Sequence, residues 1–208
     1  MVSGGRLMVC YPHVRPTASR FLTLPTLALA LIPRAVALNL ALGAIVNALK
    51  LPVYLDSVGT LLAAALAGPL AGMITGALSN LVLGLLVNPA LLAFIPVAMI
   101  IGLIAGIAAR LGAFRRMSTA ALAGLVIGIA AALSSVPIVI FLYGGLTPTG
   151  AGVVTMVLRS VFPLTMEQAA KISSLSTDVI DKPLSALLVA AIVARLPARI
   201  AARFRAAP

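Results

Sequence analysis

The 208-residue sequence is poor in the side chains that do chemistry: one cysteine, one histidine, no tryptophan and four acids. A lone cysteine, Cys10, excludes an intrachain disulfide and a cysteine-based metal cluster. The only histidine, His13, lies in a polar N-terminal stretch. Neither a Ser–His–Asp triad nor the two-histidine zinc site of an intramembrane protease is supported. Asp56, Glu167, Asp178 and Asp181 do not make the cytoplasmic aspartate cluster of a phospholipid-type transferase. No Gly-rich loop runs into Lys-Ser or Lys-Thr, so the chain has no ATPase site of its own. The expectation is no enzyme, no metal and no cofactor. Charged residues are only 9% of the chain, against roughly 25% in soluble domains, too few to cover a water-facing surface.

What is present is hydrophobic: 62% of residues, with a mean hydropathy of +1.20. That length holds roughly six spans of about 20 residues. The net charge of +11 would ordinarily suggest nucleic acid, but no aromatics interleave the basic residues, which fall between and beyond apolar segments. The expected environment is the lipid bilayer, with no nucleic-acid partner. The fold expected is an all-α integral membrane bundle of six transmembrane helices, its N- and C-termini cytoplasmic. Residues 1–20 form a basic cytoplasmic tail, 21–204 the membrane domain and 205–208 a C-terminal tail. The start resembles a signal peptide, but no small-residue cleavage site leads into a polar mature region, so a retained tail is expected.

The spans are read at 35–49, 57–67, 69–87, 91–109, 119–143 and 183–196. An interfacial helix over 21–32 precedes the first, with a break at Pro33-Arg34. Gly68-Pro69, Asn88-Pro89 and Gly144-Gly145 mark turns. This arrangement places eleven arginines on the cytoplasmic side, among them Arg34, Arg110, Arg115, Arg116 and Arg195. Lys50, Arg159, Lys171 and Lys182 lie outside, as the positive-inside rule requires. Residues 151–175 carry Arg159, Pro163, Glu167 and Lys171 and are read as an amphipathic or re-entrant segment, with Glu167 and Lys171 paired at i,i+4. Glycines spaced by four (Gly68/Gly72/Gly76, Gly102/Gly106, Gly124/Gly128) predict close helix packing. Asn39, Asn47 and Asn80 lie at membrane depth and are read either as interhelical hydrogen-bonding groups or as ligand contacts, Asn47 being the better ligand candidate.

Three outer connections carry polar residues amid apolar sequence, the pattern of a small-ligand pocket. The candidate substrate-binding residues are Asn47, Tyr54, Asp56, Asn88, Arg159, Asp178, Asp181 and Lys182. Charged groups would match ligand charge, Asn would orient it, and Tyr54 would stack on a ring. The plainer alternative is that Asp56 caps the second span and Asp178 or Asp181 the last, Pro183 sitting in its first turn.

The block Leu51-Pro-Val-Tyr-Leu-Asp-Ser-Val-Gly-Thr, continuing through Ala67-Gly-Pro-Leu-Ala-Gly-Met-Ile-Thr-Gly to Ser79-Asn80, resembles the substrate-binding S components of energy-coupling factor (ECF) transporters. Asp181-Lys182-Pro183 and the Arg-rich end fit one uncharacterised branch, and the resemblance spans roughly residues 35 to 204. It implies capture of a water-soluble vitamin or related micronutrient outside the cell. It further implies docking onto a membrane coupling subunit and two ATPase subunits, which alone use ATP. Small residues at an Ala-xxx-Ala spacing on the first helix commonly meet that coupling subunit, which points to Ala37 and Ala41. A ligand-sensing module and an autonomous secondary carrier are the alternatives.

Overall fold

In the computed structural model the described residues are 26–49 and 53–196; among them there are seven α-helices and no strand. The expected tails at 1–20 and 205–208, together with Lys50, Arg199 and Arg203, lie outside them.

Helix α1, Thr26–Ala48, runs unbroken through Pro33, so the predicted break is absent. Pro33 and Arg34 are exposed while Ile32, Ala35 and Asn39 on the other face are buried. The ring therefore costs one backbone hydrogen bond on the outward side, and the packed face holds the helix together. Ala37 and Ala41 lie on that exposed side.

Helices α2, Val58–Ala67, and α3, Pro69–Leu86, are parted by Gly68 alone. Its φ of 91° suits glycine, and Pro69 follows at the first helical position, where no N–H is needed. A 3-10 turn, Pro89–Phe94, is opened by Asn88, whose side chain accepts from the Ala90 N–H at 3.1 Å. Helix α4, Ile95–Arg110, follows, and α5, Met117–Tyr143, ends at Gly144 in the left-handed region, φ 59°.

Two helices complete the chain: α6, Gly150–Val161, and α7, Met166–Arg195. Residues 151–175 are not one segment, and the last helix begins at Met166 rather than Pro183. A capping box of Thr165 and Gln168 starts α7, which then runs about 45 Å and passes through Pro183. Pro183 is accommodated against Gly124 of α5, where a Cβ would stand 2.5 Å from the Pro183 Cα. Glu167 and Lys171 do pair, at 2.5 Å.

The bundle is joined through small residues. A Cβ at Gly72 would meet the Gly102 carbonyl oxygen at 2.7 Å, and one at Gly76 the Ala98 carbonyl oxygen at 2.5 Å, so α3 and α4 touch backbone to backbone. Gly124 and Gly128 bring α5 onto α7 in the same way, against Lys182–Pro183 and Asp178–Val179. Alanines 63, 64, 71, 105, 120, 131, 169 and 186 are wholly buried, while Leu85, Leu86, Leu133 and Phe141 face outward. This is the inverse of a soluble core and is what lipid demands. Four helical stretches (28–46, 69–86, 89–110 and 117–143) are long and apolar enough to cross a bilayer, marking an all-helical membrane protein.

The ends of the bundle differ. Arg110 reaches the Gly68 turn, and α7 descends beside the 3-10 turn Ala113–Arg115, so Arg110, Arg115, Arg116 and Arg195 share one end. At the other end the segments after α1, α3 and α5 converge: Asn88 Nδ2 donates to the Pro148 carbonyl at 2.8 Å, and Ala151 N donates to the Tyr54 hydroxyl at 2.9 Å.

Candidate functional site

The segment from Val53 to Ser57 turns back into the bundle before α2 begins. Gly59, at the start of α2, lies directly against the Ala35 carbonyl of α1, roughly thirteen residues, or about 20 Å, short of the α1 C-terminus. Helix α2 is therefore short because its N-terminus is internal; Val58, Gly59, Thr60 and Leu61 are buried. Leu55 takes a positive φ of 48°, an uncommon state for a side chain of that size. Its N–H and that of Tyr54 both donate to Asp181 Oδ1, at 2.8 and 2.9 Å, so one carboxylate pins the turn.

Asp181 also receives the ammonium of Lys182 on its other oxygen, at 2.6 Å. Lys182 is 3% exposed, donates to Ser57 Oγ at 3.1 Å, and stands 3.8 Å from both Asp56 and Asp178. The Ser57 hydroxyl in turn donates to Asp56 Oδ1 at 3.0 Å. Three carboxylates thus surround one lysine, which also lies 5.9 Å from the Tyr54 ring centre. Asp178, Asp181 and Lys182 are not in a connection before the last helix, as expected, but about 18 to 24 Å along α7. None caps a helix. Ser57, not Asp56, is at the N-cap of α2 and makes no side-chain cap bond.

Beside this cluster is a partly open cavity, whose empty space comes to about 820 Å³ only when the open solvent it shares is counted. All helices except α1 contribute to its wall. Apolar wall comes from Leu91, Phe94, Val97, Ile101 and Val139, with Phe94 stacked on Tyr143 at 6.1 Å. Hydroxyls come from Tyr54, Ser57, Thr60, Ser79, Thr149 and Thr177, and an amide from Asn80. Thr147, Thr149 and Ala151 also line the cavity, their segment held by Asn88 at the Pro148 carbonyl and by Tyr54 at the Ala151 N–H. Burial pushes the Tyr54 phenol up to about 12, with Asp178 and Asp56 adding to the rise against the hydrogen bonds of Thr149 and Ala151. Burial likewise pushes the Asp56 carboxyl above its ordinary range; Lys182 opposes this and Asp181 reinforces it.

Of the eight candidates, Tyr54, Asp56, Asp178 and Lys182 line the cavity. Asp181 is 0% exposed and stands behind them, holding the turn and the lysine. Asn88 is occupied as a cap and as a tie to Pro148. Arg159 lies on exposed α6, its guanidinium 3.9 Å from the Met166 sulfur, away from the cavity. The side chain of Asn47 is outside those described.

Asn39 is interhelical: it donates to Thr60 Oγ1 and Ser79 Oγ, both at 2.9 Å, and accepts from Gly59 N at 2.6 Å. Asn80, rather than Asn39, faces the cavity. Residues missed by sequence reasoning include Ser174 and Thr177, which fall with Asp178 and Asp181 at helical i, i+3, i+4, i+7 spacing. That polar stripe was a usable signal.

Comparison with the models of known protein families, with curated proteins and with solved structures finds no match.

Proposed function

We propose that the protein is the substrate-specific S component of an ECF-type importer. It captures a water-soluble vitamin or related micronutrient from outside and hands it to a coupling subunit driven by two ATPases. The observation that carries this reading is the cavity itself: it is partly open, mostly apolar, lined by hydroxyls and charged groups, and bordered by segments that follow α1, α3 and α5. In this reading α1, α3, α4, α5 and α7 cross the bacterial cytoplasmic membrane, and the turn before α2 together with the ten-residue α2 makes the sixth passage. The arginine-rich end faces the cytoplasm, and the end where the segments after α1, α3 and α5 converge faces out. No covalent chemistry is required of the chain, and ATP is used only by partners. The outward-facing Ala37 and Ala41 are the proposed coupling-subunit contact, where small side chains allow close approach.

Purified chain should bind one member of a water-soluble vitamin panel with sub-micromolar affinity and co-purify with a coupling subunit. Failure of both removes the reading. A second reading, an autonomous secondary carrier, is favoured by the carboxylates halfway along α7, since ion-coupling acids sit at such depth. Uptake by the chain alone, abolished by a protonophore and indifferent to ATPase subunits, would select it. A ligand-sensing module would bind without transporting in either assay.

A further inference from the structure

The charges around the cavity do not cancel, and the surplus has a sign. Among the described residues, Lys182 is the only cationic side chain in the wall. Its shortest contact is to Asp181, which is buried and committed on its other oxygen to two backbone N–H groups. Asp56 and Asp178, both in the wall, share what remains of the lysine at 3.8 Å each, beyond hydrogen-bond range. Asp56 has one further tie, to Ser57. Asp178 is 13% exposed and Asp56 28% exposed, so both retain accessible acceptor surface on the cavity. No arginine among the described residues lines it, and an anionic group entering there would meet two carboxylates and one neutralised ammonium. Two rings, Tyr54 and Phe94, form part of the same wall, offering the negative face that attracts cations and stacks on flat heterocycles.

We propose that the cavity takes a flat organic cation, its positive nitrogen held between Asp56 and Asp178 and its ring against Tyr54 or Phe94. The inference rests on the ligand-capture reading and narrows its substrate class to positively charged ring compounds, against carboxylates and phosphates.

The test uses three probes of one shape on the purified full chain in lipid nanodiscs: N-methylquinolinium, its uncharged isostere 1-methylnaphthalene, and 1-naphthoate. Binding is read by probe fluorescence and by the shift in thermal unfolding. The expected result is binding of N-methylquinolinium at least tenfold tighter than either other probe. Asp178→Asn and Asp56→Asn should each weaken it at least tenfold, while the affinity of the uncharged probe stays within twofold. Naphthoate or methylnaphthalene binding as tightly as the cation, or cation affinity unmoved in both variants, overturns the charge assignment and leaves capture standing. Binding of none of the three also overturns the cation assignment, while capture stands or falls on the vitamin panel.

Discussion

Replacing Asn39 with leucine removes the amide that joins α1, α2 and α3. Asn39 is 0% exposed and makes three hydrogen bonds, to Thr60, Ser79 and the Gly59 N–H. The two side-chain bonds are worth about 0.6 kcal/mol each if they match the average inside membrane proteins. Ser79 keeps its own donation to the Thr75 carbonyl at 2.8 Å, so it is not orphaned. The Gly59 N–H is: it sits in the first turn of α2, where no helical carbonyl reaches it. Its buried desolvation adds about 1–3 kcal/mol. The total loss is about 2–4 kcal/mol, on the order of 5–10 °C in midpoint for a chain of this length. Thermal unfolding of Asn39→Leu in detergent, followed by size-exclusion recovery of monodisperse protein, measures it. Asn80→Leu is the companion, because Asn80 faces the cavity: its midpoint should move by less than about 2 °C while ligand affinity falls. If Asn39→Leu unfolds within about 1 °C of the parent, the amide is not the joint and the argument fails.

The remaining predictions concern packing and charge. Gly128→Ala puts a Cβ 2.5 Å from the Asp178 carbonyl oxygen and 3.2 Å from the Val179 Cα; these are backbone atoms that no rotamer change can move, so a loss of about 1–3 kcal/mol is expected. Gly43→Ala, with only the Asp56 Cβ at 3.7 Å, should instead be neutral or gain up to about 1 kcal/mol from helix propensity; both are checked by thermal unfolding. The Tyr54 phenol, raised to about 12, stays protonated in the fold after free tyrosine ionises. Stability should therefore fall as pH climbs from about 10 toward 12, and the difference in ultraviolet titration between parent and Tyr54→Phe should place this group's midpoint near 12.

Much of the bundle was legible because its punctuation is chemical. Gly68-Pro69 and Asn88-Pro89 are turns for reasons local to those residues, and the four-residue glycine spacings become the α3–α4 and α5–α7 contacts. The convergence of Tyr54, Asp56, Asp178 and Lys182 was also expected, since polar groups in apolar sequence must meet something. The register of α7 was not. Asp178, Asp181, Lys182 and Pro183 in succession read as a connection, because each alone is costly inside a helix at membrane depth. What makes them tolerable is supplied by distant residues: Gly124 admits Pro183, and the Tyr54 and Leu55 N–H groups receive Asp181. The cap made by Asn88 is local, but its tie to Pro148 depends on where the segment after α5 lands, and no local pattern shows that.

The charge cluster is where structural and functional explanations separate. Three carboxylates and a lysine beside an apolar cavity are a poor way to hold helices together, since well-packed apolar residues are often as stable or more so. Asp181 and Lys182 alone would fasten the turn at Leu55 to α7. The additional acids, Asp56 and Asp178, fasten nothing comparable. Lys182→Met leaves three carboxylates without a counter-charge, at a cost of about 3–5 kcal/mol, and should yield little monodisperse protein. Adding Asp181→Asn retains an acceptor for the two N–H groups and removes one unpaired charge, so yield should partly recover. If Asp56→Asn recovers it equally, the four groups act as one undifferentiated ion cluster. If only Asp181→Asn does, the lysine belongs to the fold, and the two acids left over belong to whatever enters the cavity.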